Sequence, residues 1–459
     1  MSPRASLKIG WGSRDMTPPR PCTLFGQFYL RLSEGAADPL TVTALALEGT
    51  GKNGSAILLS CDLVAVFEPV HARLREEIRR RLPDFDADLF LAAATHTHCG
   101  PSHEPNWYPP QGPGVMTEEE AADWFVARAA EAAEKAWKNR APGAVGWAYT
   151  HAVVGHNRRA LYKNGAARMY GKTRDEQFEC FEGYEDHGLD LLATWDPAGR
   201  LTGVVVNVAC PSQVSEHEMQ FTADFWHETR QELRSRLGKG LFVLPQCAPA
   251  GDQSPHLLLH KDLEKLMWQR RGVSQRREIG RRIASAVQEA LPVAQADPRS
   301  DVAVRHHFEM LPLPIRMVTP QERDQARAEL ARLEADPNLE PRTRFAFLYR
   351  ACRTVERFEE QKTSTVVPVE LHVLRVGDVA MATNPFECFL DYALRMKALS
   401  PAVQTFCVQL ACGYQGYLPT ARAVAGGHYG AEVASNSVGP EGGQELVDRT
   451  VEVMNGLWA

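Results

Sequence analysis

Strand and helix signals alternate along almost the whole chain, and that alternation constrains the fold more than any other feature. Residues 56–60 read as a buried strand and 68–81 as an amphipathic helix; 89–94 is again an apolar strand, and 117–139 a long helix rich in Ala and Glu. The run 191–195, the turn Asp196-Pro197-Ala198-Gly199 and the run 201–209 make a hairpin. A second hairpin joins 366–375 to 379–383 through Gly377-Asp378. Helices are expected at 223–237, 260–291, 384–399 and 441–458, with a short strand at 241–245. Two charged helices, 322–335 and 342–360, read as a helical insertion over the core, spanning 320–361. Strands mixed with helices throughout give an α/β class, and the hairpins imply mixed β-sheets flanked by helices. No internal repeat and no linker rich in Gly, Ser and Pro divides the chain, so 1–459 reads as a single domain.

The 459 residues, 44% of them hydrophobic, are ample for a large core. A net charge of −6 with the two signs mixed offers no basic stripe for nucleic acid and no polybasic helix for an anionic membrane. Residues 1–8 lack the apolar stretch of a signal peptide, and the longest apolar run, 56–67, is broken by Ser60, Cys61 and Asp62. That is short of the roughly 18 residues a membrane span needs. Ten scattered cysteines without a CxxC pair read as reduced, mostly buried thiols, which points to the cytoplasm. The expected partner is a small-molecule substrate, with a homo-oligomer left open.

Three segments carry candidate chemistry. The strand 89–94 ends in Thr95-His96-Thr97-His98-Cys99-Gly100-Pro101, and residues two apart on an extended chain face the same way, so His96 and His98 can share one side of a pocket. Imidazole suits zinc, although so short a motif is also compatible with two polar residues before a Gly-Pro turn. Gly251-Asp252-Gln253-Ser254-Pro255-His256 follows the strand 241–245, where α/β proteins place sites; Ser254 lacks a nucleophile elbow and reads as a turn residue. Asn384-Pro385-Phe386-Glu387 has the chemistry of a helix start, with Asn384 as N-cap and Glu387 at its third position, and the residues alone favour that cap over a metal role.

Taken together and in this order, the motifs resemble the catalytic domain of the neutral/alkaline (non-lysosomal) ceramidase family, as a divergent member. Gly10-Trp11-Gly12-Ser13-Arg14-Asp15-Met16-Thr17-Pro18 is similar to that family's opening GxGxxDITxP, and Ser60-Cys61-Asp62 to its S-x-D. The His segment resembles THTHSGP, Asn157-Arg158 resembles N-R-S-P, and Gly251–Pro255 resembles GDVSP. Pro385-Phe386-Glu387 is similar to P-G-E, and Tyr417 and Tyr429 keep the family's tyrosine spacing. The resemblance implies a ceramidase-like α/β catalytic domain holding one divalent metal ion, zinc. It implies His96, Glu387 and Tyr417 as ligands, and His98, Arg158 and Tyr429 as the catalytic groups around a reacting carbonyl.

The main departure is at the family's second His ligand, in V-H-P, where this chain reads Val208-Ala209-Cys210-Pro211. Cys210 is therefore expected as the fourth ligand, since a thiolate also binds zinc. A neighbour such as His217 or Glu218 filling the position, or a weakened metal site, remain alternatives. His103, Trp107, Tyr414 and His256 are expected to bind substrate, with Glu104, Asn106 and Tyr108 completing a polar-aromatic rim. That rim suits sugars as well as acyl amides, so a small polar amide, ester or carbohydrate derivative is as good a candidate as ceramide, and the expected activity is hydrolysis of an amide or ester bond by metal-activated water. The alternatives are a metal-dependent lyase or isomerase acting on a sugar or sugar acid, and a non-catalytic binding protein that has lost the metal.

Overall fold

The computed structural model describes residues 7–459 apart from 51–52, 106 and 337–338. Asn106 thus lies outside the described residues. Three principal sheets are built by one recurring rule: three strands run antiparallel in sequence, then a helix crosses over to a fourth strand parallel to the third. The first sheet takes Lys8–Asp15, Thr41–Glu48 and Ser55–Cys61, then helix α1 (Glu68–Arg81) leads to Phe90–Ala94. Helix α2 (Glu118–Lys138) follows, started by a capping box between Thr117 and Glu120. The second sheet takes Ala144–His151, Gly188–Trp195 and Leu201–Val208, then α3 (Phe225–Leu237) leads to Phe242–Cys247. Helices α4 (Lys261–Arg271) and α5 (Gln275–Ala296) come next, then the first strand of the third sheet, Val304–Pro314. Helices α6 (Pro320–Ala335) and α7 (Pro341–Glu360) are inserted before Val366–Val376 and Val379–Thr383; α8 (Leu390–Leu399) then leads to Gln404–Val408. The repeat that the sequence does not show is therefore present in the topology.

Side chains alternate across each strand, and the two faces have different neighbours. Leu45 and Leu58 of the first sheet, Leu192, Val205 and Leu244 of the second, and Leu374, Met381 and Phe406 of the third pack into one shared apolar core. The opposite faces are covered by helices. Leu74, Ile78 and Phe125 of α1 and α2 cover Ala44, Ala46, Ile57 and Leu59. Leu233, Ile283 and Val287 of α3 and α5 cover Leu191, Val204 and Val206. Leu390 and Met396 of α8, with Leu446 and Val447 of the C-terminal helix Pro440–Trp458, cover Leu371 and Val373. The mixed α/β class expected from the sequence is what the chain adopts.

Two helix boundaries differ from expectation. The stretch 260–291 is two helices, broken at Gly272 in the left-handed conformation (φ 64°). The helix expected at 384–399 begins only at Leu390; Asn384 does not cap it, and Glu387 lies on a two-residue strand.

The parallel pairs place three chain exits together. Thr95 O accepts from the Ser212 amide and hydroxyl, Cys247 O accepts from Gln409 N, and Leu410 O accepts from Ala94 N. The ends of the three sheets are thus tied in a ring, and the loops beyond the carboxyl ends of their parallel strands meet, which is where open α/β sheets form ligand crevices.

Candidate active site

His96 is the first residue to turn away from its sheet. It adopts a left-handed backbone (φ 65°), unusual for a side chain with a Cβ, and the surroundings hold it there. Its Nδ1 donates to Val64 O at 2.9 Å, which leaves Nε2 bare and aimed inward. The preceding Thr95 hydroxyl donates to buried Asp62 at 3.2 Å, and Arg230 grips that carboxylate with both guanidinium nitrogens at 2.7 and 3.1 Å. His96 Nε2 lies 3.5 Å from Glu387 Oε2 and 3.3 Å from His98 Nε2.

Glu387 owes its place to backbone pairing, since Glu387–Cys388 lies parallel to Tyr417–Leu418 with Glu387 opposite Tyr417. Tyr414 donates its hydroxyl to Glu387 Oε1 at 2.9 Å. Burial alone would raise the Glu387 pKa, but His96, Arg158 and the Tyr417 hydroxyl outweigh it and hold the carboxyl at about 2, so it is ionised. Arg158 Nη2 donates to Tyr417 Oη at 3.3 Å and to Gly251 O at 2.9 Å, and lies 3.9 Å from Glu387. The loop carrying Gly251 and Asp252 fixes this arginine, because Arg158 N also bonds Asp252 O at 2.9 Å. Tyr417 and Tyr429 meet hydroxyl to hydroxyl at 3.3 Å, and burial raises both phenol pKa values, so both keep their protons.

His98 is packed under Gly26, where a Cβ would come within 2.6 Å of the imidazole. Burial, then the neighbouring His96, push its pKa down to about 3, so the ring is neutral. Its Nε2 meets the Gln213 side-chain amide at 2.7 Å and its Nδ1 lies 3.8 Å from Glu216. Burial would raise the Glu216 pKa, but His256, His98 and His217 lower it to about 2. Gln213 and Glu216 were not expected from the sequence; their only signal is that they follow Cys210 within six residues, in the loop leaving the second sheet.

His96, His98, Glu387, Tyr417 and Tyr429 form the floor of a cavity of about 400 Å³ whose walls include Phe25, Phe28, Phe67, Trp107, Tyr349 and Tyr414. Trp107 and Tyr414 therefore sit where the sequence places substrate contacts, as does Glu104. Tyr108 is buried behind this wall, its hydroxyl donating to Gln27 O at 2.7 Å. Helix α7 supplies Tyr349, Arg353 and Arg357, so the helical insertion forms one wall of the cavity.

Three expectations need correction. His103 does not line the cavity: it is buried against Phe125 of α2, ring centroids 5.3 Å apart, and desolvation lowers its pKa to about 3. His256 sits one layer behind, donating from Nε2 to Gln213 O at 2.9 Å and lying 3.6 Å from Glu216. Burial disfavours its cation, but Glu216 and the Gln213 carbonyl raise its pKa overall. Cys210 does not turn toward His96 and Glu387. Its thiol donates to Val154 O at 3.4 Å within the apolar core of the second sheet, and burial raises its pKa far above the ordinary thiol value. His217 and Glu218 are exposed and do not replace it; Gln213 is the residue from this loop that reaches the histidines. Ser254 lies in a short pairing with His156–Asn157 and accepts from His256 N, as befits a turn residue.

His96, Glu387 and Tyr417 fit a divalent ion without Cys210. Imidazole, carboxylate and phenol are donors zinc accepts, and the 3.5 Å between His96 Nε2 and Glu387 Oε2 suits two ligands each about 2.0–2.2 Å from a tetrahedral ion. Among the described residues, the group of three His, Cys, Asp or Glu side chains whose donor atoms all lie within 4.8 Å of one another is a different one, His71, Glu370 and Cys412. None of those three lines the cavity. Among the described residues no helix is long and apolar enough to cross a membrane, and all ten cysteines are free, eight of them buried.

Compared by sequence, the chain matches no family profile and no curated protein. Compared by structure, it is similar to a ceramidase complexed with C2, at a TM-score of 0.71 and 16% identity, with 99% of this chain and 75% of that chain covered. It is equally similar to neutral ceramidase from Pseudomonas aeruginosa, at a TM-score of 0.71 and 17% identity, covering 99% of this chain and 74% of that one. The fold that the sequence motifs imply is therefore the fold the chain has.

Proposed function

We propose that the protein is a metal-dependent hydrolase that cleaves an amide or ester bond in a small polar substrate. The observation that carries this reading is the convergence of His96 Nε2, the ionised Glu387 carboxylate and the Tyr417 phenol on the floor of an aromatic cavity. Three protein ligands and an open side facing a cavity are the arrangement of catalytic zinc sites, as distinct from closed structural ones. A divalent ion bound there would polarise a carbonyl oxygen and make water a nucleophile near neutral pH.

The chain's own groups divide the remaining work. Neutral His98 can take a proton from the attacking water at Nε2, and ionised Glu216 behind Nδ1 steadies the imidazolium that results. Gln213 holds the same Nε2 at 2.7 Å before substrate binds, and the attacking water takes that place. Tyr429 keeps its proton and can donate to the carbonyl oxygen as negative charge develops. Arg158 is a buried, permanently charged cation beside Tyr417 and Glu387, and it stabilises the same charge. The aromatic walls exclude water and hold the apolar part of the substrate.

Elemental analysis of protein purified under metal-replete conditions, together with a panel of acyl amides and esters, tests the reading. One equivalent of metal is expected in the wild type, less than a tenth of that in His96→Ala, and hydrolysis only by the loaded protein. Wild type that holds no stoichiometric metal, or that turns over no amide or ester when loaded, would sink it.

A further inference from the structure

The wall formed by α7 carries an excess of positive charge that the protein itself leaves unmatched. Arg353 and Arg357 are four residues apart on that helix, so they share one face, and both line the cavity. Arg353 is matched by Glu360 at 2.8 Å and Glu356 at 3.4 Å. Arg357 is not matched. It is buried, and its guanidinium donates to three backbone carbonyls: Val433 O, Arg316 O at 2.6 Å and Ser437 O at 3.5 Å. No carboxylate of the described residues lies within ion-pair distance of it. Burial, then the repulsion of Arg353 and Arg316, lower its pKa to about 10, so it remains a cation at neutral pH.

Its neighbours deepen the imbalance. Arg316 is bonded to Ala431 O at 2.7 Å and to the Asn436 side-chain carbonyl, again with no carboxylate of the described residues within ion-pair distance. Arg350 lies over the Tyr429 ring at 5.3 Å, with Glu432 at 3.7 Å. The cavity's own carboxylates do not pair with Arg357: Glu387 belongs to the catalytic floor, Glu68 is tied to Tyr414 N at 3.2 Å and Gln415 Nε2 at 2.6 Å, and Glu104, also in the lining, forms no ion pair with Arg353 or Arg357. Burying a cation against carbonyls alone is costly, and proteins otherwise avoid it. Ser435, Asn436 and Ser437 line the same end of the cavity and add polar groups beside the guanidinium. Tyr429 connects this end to the catalytic floor, its hydroxyl on Tyr417 and its ring against Phe28 at 5.7 Å.

We propose that Arg357, supported by Arg353, binds an oxoanion on the substrate, a carboxylate or a phosphate, held away from the scissile carbonyl across the aromatic wall. This rests on the hydrolase reading and names its substrate class: an acyl amide or ester bearing a negative charge on the portion that points toward α7. An uncharged amide would leave Arg357 without a counter-charge.

The test compares three amides of matched length in the metal-loaded protein: N-hexanoylglycine, N-hexanoylethanolamine and N-hexanoyl-O-phosphoethanolamine. The wild type is expected to prefer one of the anionic pair over the neutral compound by about 10- to 100-fold in kcat/KM, as for one charge-assisted contact. Arg357→Met is expected to collapse that ratio to near one and Arg357→Lys to restore part of it, with the effect in KM. Equal turnover of all three by the wild type overturns the substrate class and leaves the hydrolase reading standing. If none is turned over, titration calorimetry of N-hexanoylglycine and of inorganic phosphate decides. Binding lost in Arg357→Met and retained in His96→Ala upholds the anion site without the activity; absence of binding by both overturns it. A purely structural Arg357 predicts a lowered Tm in Arg357→Met with the substrate ratio unmoved. Removal of an unmatched buried charge predicts a Tm equal to or above that of the wild type.

Discussion

Two buried clusters in this protein pair histidine with glutamate, and they differ in what surrounds them. At the cavity floor, His96 faces Glu387 at 3.5 Å with an open side toward solvent-filled space. Beneath α1, His71 lies 4.0 Å from Glu370, and Cys412 completes a set of donors close enough to hold an ion. By donor type and mutual distance alone the second cluster is the better metal site. Yet its glutamate is already engaged by Arg75 and by His372 at 2.7 Å, and His372 passes the contact on to His306 at 2.9 Å. His71 itself is stacked on Phe90, ring centroids 5.8 Å apart. That cluster is charge-balanced, with a cation already present as the Arg75 guanidinium, although buried His71 Nε2 has no hydrogen-bond partner. The comparison teaches that residue type and proximity do not mark a site; access to a cavity and the absence of a cation already seated on the carboxylate do. The position of Arg75 opposite Glu370 argues against a second ion there, because a divalent ion would have to displace it.

The largest effect that could break the comparison is on metal content. Glu387→Gln removes the carboxylate ligand while keeping its shape, and it is expected to abolish stoichiometric metal and all hydrolysis. His71→Ala is expected to leave metal content and activity per folded molecule at wild-type values. If His71→Ala instead loses an equivalent of metal, the second cluster is a true ion site and the contrast fails. Next in size is stability. Glu370→Gln leaves Arg75 buried without its counter-ion, and the unfolding free energy in urea should fall by roughly 3 kcal/mol. Glu387→Gln, in a metal-free preparation, should cost less, because Arg158 lies 3.9 Å from Glu387 and keeps its bonds to Gly251 O and the Tyr417 hydroxyl. Equal losses at both sites would show that the floor is as self-sufficient as the closed network.

Much of this architecture is legible in the residues, and the exceptions have physical causes. The strand 89–94, the hairpins and α1, α2 and α3 declare themselves because one face is apolar at the right period. The strand Lys8–Asp15 does not, because Gly10 and Gly12 interrupt its pattern. They are there for α2, since a Cβ at either position would meet a helix carbonyl, of Ala136 at 2.0 Å or of Ala132 at 2.1 Å. Val304–Pro314 is masked by Pro312 and Pro314, which are tolerated because the strand lies at the edge of its sheet. The site shows the same division. His96, His98, Glu387, Tyr417, Tyr429 and Arg158 are carried by short motifs at strand ends and are brought together as expected. Cys210 was misplaced because an apolar strand end fixes which residue starts the loop, while the loop's own hydrogen bonds decide which residue returns to the site. Here that residue is Gln213. Arg357 carries no motif at all, and only burial without a partner reveals it.

The smallest effect is on acid sensitivity, and it sharpens the contrast on the side of the closed cluster. Burial, opposed only in part by Glu370, takes the His71 pKa from 6.5 to about 3. In the unfolded chain the same histidine protonates as pH falls through about 6.5, whereas in the native protein it stays neutral until about 3. The unfolded state therefore binds the extra proton across that window, and native stability is fully present above pH 6.5 and is lost progressively as pH falls toward 3. Between pH 6.5 and 5.5 one such histidine withdraws about 1 kcal/mol. His98, also held at about 3, contributes a second share in the metal-free protein. Urea midpoints of the metal-free wild type should accordingly fall on acidification from pH 7 to 5.5, and His71→Gln should show a shallower fall. Reloading with metal should not lessen this fall, because an ion at the cavity floor keeps its neighbours unprotonated in the native state while the unfolded chain still binds the protons; the slope stays or steepens, with the His71 share intact. A fall in His71→Gln as steep as that of the wild type would show that the closed cluster holds no such share, and the contrast between the two regions would fail on this side.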